Sequence, residues 1–122
     1  FKCAVAGAAI TNYESNYGIV SIRGWQTVCM GCSVYDTPDL HRDRSPLTHV
    51  KRVKTPTLLV HGERDEDVPP EQSLEFYTAL KHLGVPVQCV IYPREPHGFT
   101  ERAHQIDLMR RVVEWIERYL LT

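Results

Sequence analysis

An apolar run that ends in an acidic turn is the feature of this sequence that most restricts its fold. The run, Thr57–Val60, follows a proline, and it is succeeded by His61, by Gly62 and then by the acidic segment 63–67. A short apolar run bounded by turn residues is consistent with a buried strand. In open α/β sheets, functional groups lie in loops at the carboxyl ends of the strands. We therefore predict an α/β fold in which this acidic turn contributes to a functional site.

The other patterns place this run within a series of strands and helices. We predict further strands at Cys3–Ile10 and Val85–Tyr92, and a helix that begins at Pro69 and ends before Gly84 in a left-handed turn. A second helix begins near Glu101. This order predicts a mostly parallel sheet flanked by helices and joined by right-handed crossovers. The apolar residues of the first helix recur at three-residue steps: Leu74, Tyr77, Leu80 and Leu83.

The second predicted helix, from about Glu101 to Leu121, carries apolar residues at spacings of three and four. One series consists of Ile106, Met109, Val113, Ile116 and Leu120. A second series beside it consists of Leu108, Val112, Trp115 and Tyr119. A stripe this wide predicts a helix that packs against a sheet.

The segment between the first two strands is irregular. Asn12–Asp36 shows no sustained hydrophobic period, and we predict a long connection with short helical turns. Such connections in compact domains are often functional. Ser45 before Pro46 fits an N-cap followed by the first residue of a short helix.

Composition is that of an ordinary globular chain. The 122 residues are 43% hydrophobic and 24% charged, and the formal net charge is −1. This length corresponds to one domain or part of one, and the balanced charge gives no reason to expect nucleic acid or an anionic membrane as a partner. No apolar run approaches the roughly 20 residues of a membrane-spanning helix, and no signal peptide is recognisable. We predict a cytoplasmic protein.

His97, in the loop after the third predicted strand, supplies a partner for the acidic turn. A serine-hydrolase triad needs a carboxylate that orients an imidazole, and an imidazole that takes the proton of a nucleophile. In α/β-hydrolases the acid precedes the histidine in the chain. Asp65 and His97, each just past a predicted strand, fit these two positions.

Each candidate also has a simpler interpretation. Asp65 could be a solvated loop acid, and His97 a loop histidine without a role. His61 beside the acidic turn could contribute to a metal site, but no recognised metal-binding spacing is present, so we predict neither a metal nor a cofactor. Cys29 and Cys32 match C-x-x-C without the context of a redox fold or a second ligand pair. We interpret them as free thiols of a reduced protein.

Several stretches beyond residue 44 carry a family resemblance. They are Ser45–Leu47, Lys54–Pro69, Gln72–Ser73, Gly84–Val87 and Tyr92–Phe99. They resemble the catalytic domain of the prolyl oligopeptidase family, most of all its acylaminoacyl-peptidase branch, and the resemblance extends over nearly the whole chain. It implies the C-terminal part of an α/β-hydrolase fold and a serine peptidase that cleaves short peptides or acylated N-terminal residues. It also implies that Asp65, rather than its competitor Asp67, is the triad acid and that His97 is the base.

The nucleophile is absent from the resembling stretches. The family's G-x-S-x-G serine, oxyanion hole and N-terminal β-propeller would all precede Phe1. We therefore expect residues 1–122 to be a partial catalytic domain that is inactive alone. Its partner would be the missing N-terminal part or another copy, paired through an exposed strand edge at Cys3–Ile10. The nearest approach to the motif, around Ser33, has Tyr35 where the second glycine should be, so we reject Ser33 as the nucleophile.

Aromatic residues in the long connection are candidates for substrate contact. We predict that Tyr13, Tyr17 and Trp25 line a pocket for a substrate side chain, because this connection should lie near the top of the sheet. Ordinary packing is the alternative. Two other functions stay open: an esterase or dienelactone-hydrolase-type enzyme with the same Asp and His, and a non-catalytic assembly module.

Overall fold

The computed structural model describes residues 1–121, which form a three-stranded sheet with helices packed against it. The strands are β1 (Ala4–Gly7), β2 (Thr57–Gly62) and β3 (Val87–Tyr92). The helices are α1 (Tyr13–Ile19), α2 (Arg23–Met30), α3 (Pro38–Arg44), α4 (Glu71–His82) and α5 (Arg102–Leu120), and a 3₁₀ helix spans Pro46–Arg52. The predicted α/β class is confirmed.

The sheet is parallel throughout and has the order β1-β2-β3. All six residues of β2 are buried. Because successive side chains point to opposite faces of a strand, burial of the whole strand means that both faces of β2 are covered. In the register, Gly7 lies opposite Val60, and Gly62 lies opposite Tyr92. The loops that follow the three strands therefore emerge at one end of the sheet, the end formed by the carboxyl ends of the strands.

Strand β1 is shorter and more exposed than a central strand would be. The structure confirms a strand within Cys3–Ile10 but limits it to four residues. Within residues 1–121 it pairs with β2 alone, and Val5 is 38% exposed. The unpaired edge expected at this segment is therefore present.

The buried face of α4 is mostly polar, which its apolar spacing did not predict. Its buried residues are Gln72, Ser73 and Leu80, whereas Leu74 and Leu83 are exposed. The helix ends as predicted: Gly84 has φ +72°, and the Val85 N–H donates to the Leu80 carbonyl at 3.0 Å. The Gly84 N–H donates to the Lys81 carbonyl at 3.1 Å, which completes a Schellman motif.

Only one apolar series of α5 packs against the sheet. Its contacts with the buried cluster of Leu58, Val60, Tyr92 and Trp115 come from Leu108, Val112 and Tyr119. The other series is largely solvent-exposed, and Met109 is 60% exposed. The prediction that this helix packs against the sheet is confirmed, and the contacts come from one of its two apolar series.

The connection after β1 contains short helices, as predicted, and is held to α4. Asn12 caps α1 by accepting the N–H groups of Glu14 and Ser15. The Gln72 carboxamide oxygen accepts the N–H groups of Thr11 and Asn12 at 3.1 and 2.8 Å. These bonds fix the start of the connection above the sheet edge.

Ser45 precedes the 3₁₀ helix but does not cap it with its side chain. Its hydroxyl donates to the His41 carbonyl and accepts the Tyr13 N–H instead. The predicted positions of Ser45 as N-cap residue and Pro46 as first helical residue are therefore confirmed, but without a capping bond from the Ser45 side chain. None of the helices in residues 1–121 has the length and hydrophobicity that a membrane span requires.

Candidate active site

Asp65 and His97 are hydrogen-bonded to each other at the carboxyl end of the sheet. His97 Nδ1 lies 2.9 Å from Asp65 Oδ2. Because a carboxylate oxygen can only accept, Nδ1 carries the proton and Nε2 is left unprotonated in the neutral ring. Within residues 1–121 no hydrogen bond to Nε2 is found, and the His97 side chain is 50% exposed. The ring is thus oriented by the acid on one side and open on the other.

The Asp65 carboxylate is fully buried and is held by its own turn. Its Oδ1 accepts the N–H groups of Asp67 at 3.0 Å and of Val68 at 2.8 Å. This use of Oδ1 leaves Oδ2 for His97. The predicted hydrogen bond is present with Asp65 and not with Asp67, whose carboxylate accepts the Ser21 hydroxyl at 3.3 Å. Asp67 does not cap α4, which has no side-chain capping bond.

A second histidine, His61, contacts Asp65 from the buried side. His61, on β2, is fully buried, and its Nε2 lies 2.6 Å from the Val68 carbonyl and 3.3 Å from Asp65 Oδ2. A carbonyl can only accept, so Nε2 carries a proton that it donates to Val68. Nδ1 contacts the Ser73 hydroxyl at 2.7 Å. From the sequence, His61 suggested only a metal ligand, and its structural role depends on contacts that no local pattern reveals.

The loops that carry the acid and the base are tied together by their backbones. The Glu63 N–H donates to the Tyr92 carbonyl and the Arg64 N–H to the Glu95 carbonyl, both at 2.9 Å. A Cβ atom at Gly62 would overlap the carbonyl oxygens of Glu95 and Pro96. Glycine is therefore required where the two loops meet.

A buried carboxylate organises the loop around His97. Glu95 is fully buried and accepts hydrogen bonds from the N–H groups of Thr100 and Glu101 and from Nδ1 of His104. Burial raises the pKa of the Glu95 carboxyl, but the hydrogen bonds from Thr100, His104 and Glu101 outweigh it and hold the pKa at about 2. The residue is therefore ionised at neutral pH.

A cavity of about 460 Å³ opens beside His97. Tyr13 and Trp25 line it, together with apolar residues such as Val20 and Ile22. Tyr17 does not line this cavity: its ring packs edge-on against Tyr35 and His41. Two of the three aromatic residues predicted for substrate contact thus lie next to the candidate base.

The same cavity has a polar wall that the sequence did not reveal. Asn16 and Gln26 line it, and both are buried. The Gln26 amide donates to the Tyr13 carbonyl at 2.8 Å, and its oxygen accepts the Asn16 amide at 3.0 Å. These two residues lie on α1 and α2, which had no clear periodicity in the sequence.

Two groups of side chains within residues 1–121 are compact enough to hold a metal ion. One consists of Asp65, Asp67 and His97, and the other of Glu95, Glu101 and His104. In each group Nδ1 of the histidine already faces a carboxylate, so a metal bound at that nitrogen would have to displace its proton. The hydrogen bonds already account for both arrangements.

Ser33 is not hydrogen-bonded to Asp65 or His97 in the described part of the chain. Its hydroxyl donates to the Asp36 carboxylate within the loop after α2. The thiol of Cys32 contacts the Thr37 hydroxyl, and Cys29 is exposed, so the C-x-x-C segment forms no disulfide here.

Comparison with known proteins gives one consistent result. A family model described as the prolyl oligopeptidase family matches residues 1–122. The human acylamino-acid-releasing enzyme is 33% identical over 98% of this chain, which spans 17% of that enzyme. An acylaminoacyl peptidase in complex with Z-Gly-Gly-Phe-chloromethyl ketone superposes with a TM-score of 0.86 at 32% identity, over 98% of this chain and 20% of that one. A puromycin hydrolase superposes with a TM-score of 0.89 at 26% identity, over 97% of this chain and 18% of its own.

Proposed function

Because this chain belongs to the prolyl oligopeptidase family, we propose that it supplies the acid and the base of a serine peptidase active site. The observation that supports this most directly is the 2.9 Å hydrogen bond from His97 Nδ1 to Asp65, which leaves Nε2 open. The fold is that of an α/β-hydrolase, as in the acylaminoacyl peptidases it resembles. The chain would form the C-terminal part of the catalytic domain.

In this proposal His97 acts first as general base and then as general acid. Nε2 takes the proton of a serine hydroxyl as its oxygen attacks the scissile carbonyl, and the imidazolium then gives that proton to the leaving amine. Asp65 holds the ring in the required tautomer and stabilises the imidazolium through Nδ1–H. Water then attacks the acyl-enzyme by the same proton transfers.

The serine and the oxyanion hole would be supplied by sequence that precedes Phe1. The chain spans only about a fifth of its relatives, which supports a partial domain. Ser33 is engaged with Asp36 and offers no alternative nucleophile. We therefore propose that residues 1–122 are inactive alone.

The substrate would be a peptide or an acylated N-terminal residue. One similar structure holds a peptide chloromethyl ketone, which supports peptide binding. The cavity beside His97 would take an apolar substrate side chain between Tyr13 and Trp25. We also propose a cytoplasmic location.

The test compares the isolated chain with a protein that carries the complete catalytic domain. A fluorophosphonate probe should label the complete protein and leave the isolated chain unlabelled. In the complete protein, His97→Gln should lower kcat on aminoacyl or N-acyl-aminoacyl anilides by at least about 10³-fold. His82→Gln, at the end of α4, is the matched control. Stoichiometric labelling of Ser33, or equal activity of the two variants, would overturn the proposal, and activity confined to simple esters would favour an esterase.

A further inference from the structure

The Glu95 carboxylate closes the loop that carries His97. It is fully buried and lies two residues before His97, yet its hydrogen-bond donors among residues 1–121 lie after His97. The Thr100 N–H donates at 2.7 Å, the Glu101 N–H at 2.9 Å and Nδ1 of His104 at 2.7 Å. The Thr100 hydroxyl adds a fourth bond at 3.2 Å. The chain between the acceptor and its donors is thus held as a closed loop with His97 at its tip.

The backbone of Glu95 ties that loop to the acid. Its carbonyl accepts the N–H of Arg64, next to Asp65, at 2.9 Å. The same carbonyl lies against Gly62 so closely that no side chain would fit there. Side chain and backbone of one residue therefore connect the loop of the base both to α5 and to the loop of the acid.

The His97 ring has little other support. Its side chain is 50% exposed, and within the described residues its hydrogen bond is to Asp65. With half of the side chain exposed, the position of the ring depends on Asp65 and on the backbone that carries it. A catalytic pair needs placement within about half an ångström of its working geometry.

We propose that Glu95 is a positioning residue for His97: its buried, fully bonded carboxylate holds the loop so that Nδ1 meets Asp65. This inference rests on the proposed function, which assigns a catalytic role to the Asp65–His97 pair. A carboxylate suits this place because the four groups that hydrogen-bond to it, on Thr100, Glu101 and His104, are all donors. A glutamine amide at this place would turn its own NH₂ group toward N–H donors and lose acceptor positions.

The test uses the Nδ1–H proton of His97, observed by NMR in the full chain. Wild-type chain should show this proton in a hydrogen bond to a carboxylate, and Asp65→Asn should abolish the signal, which assigns it. Glu95→Gln should weaken or abolish it and should speed amide exchange of Thr100 and Glu101, while amides of β2 stay protected. Glu66→Gln, an exposed carboxylate beside Asp65, is the matched control and should change neither.

The outcomes separate the two proposals. Absence of the Nδ1–H signal in the wild-type chain would refute the proposed Asp65–His97 pair itself. A folded Glu95→Gln chain with an unchanged signal would overturn the role of Glu95 and leave the pair intact. If Glu95→Gln also speeds amide exchange in β2, the His104→Gln variant replaces it as the test. This variant removes the imidazole donor to the Glu95 carboxylate, and an unchanged Nδ1–H signal in a folded His104→Gln chain would overturn the inference. In the complete enzyme, Glu95→Gln should lower kcat by about 10²-fold with KM little changed.

Discussion

Asp65 accepts a hydrogen bond from His97 through Oδ2 while its Oδ1 accepts two backbone N–H groups of its own turn. The two oxygens therefore have separate roles, because Oδ1 fixes the carboxylate and Oδ2 orients the ring. His61 adds a second contact to Oδ2 from the buried side. This division makes the effect of an isosteric substitution predictable.

Asp65→Asn should reverse the tautomer of His97. The amide oxygen would remain on the N–H groups of Asp67 and Val68, which places the NH₂ group toward Nδ1. Nδ1 must then accept, so Nε2 carries the proton and cannot act as a base. In the complete enzyme we expect kcat to fall by about 10⁴-fold with the fold retained. Asp67→Asn is the control, and an equal loss in that variant would contradict the assignment of Asp65 as the acid.

Gly62→Ala should force the two loops apart. The new methyl group would overlap backbone oxygens, which cannot rotate away as a side chain could. Overpacking of this kind costs roughly 1–3 kcal/mol of unfolding free energy, and the Asp65–His97 bond should be lost. Gly18→Ala in α1 is the matched control, because open space surrounds that Cβ position and alanine favours a helix by roughly 0.5–1 kcal/mol. Denaturant unfolding of both variants measures the contrast, and equal stability would contradict it.

The strands and the candidate pair could be predicted because local signals coincide there. The run at β2 is continuously apolar since both its faces are buried, and Pro56 and Gly62 bound it. Parallel neighbours bring their following loops together, which places Asp65 near His97. The end of α4 was equally readable, because Gly84 adopts the positive φ that its turn requires.

The parts that sequence could not supply depend on distant partners. Gln72 is buried because its side-chain oxygen accepts the backbone N–H of Thr11, 61 residues away. Glu95 is buried because the donors of the next helix reach back to it. Polar residues at such positions have the same local pattern as solvated ones, so no periodicity distinguishes them.

Tyr92 should make the protein less stable at alkaline pH. Burial, together with the hydrogen bond donated to Asp107, raises the pKa of its phenol from the ordinary 10 to about 12. The folded state therefore favours the protonated phenol. Its contribution to stability is complete below pH 10 and is lost as pH rises from 10 toward about 12. Denaturant unfolding between pH 10 and about 12 should show a fall in the free energy of unfolding that is smaller in Tyr92→Phe than in the wild type. An identical dependence of the unfolding free energy on pH in the two proteins would contradict this prediction.

The open edge of β1 is the basis of the last prediction. The N–H groups of Ala4 and Ala8 donate toward β2. Backbone groups alternate along a strand, so the N–H of Val5 points to the unpaired edge.

Isolated chains should therefore associate through this edge, because an unpaired strand recruits another. Val5→Lys should reduce association measured by light scattering, since a charged side chain on an edge strand opposes pairing. Val28→Lys is the matched control: it removes a valine that is 82% exposed but lies on α2, away from the sheet. If this control abolishes association to the same extent, exposed apolar surface rather than the strand edge is the cause. A wild-type chain that stays monomeric at all concentrations would refute association altogether.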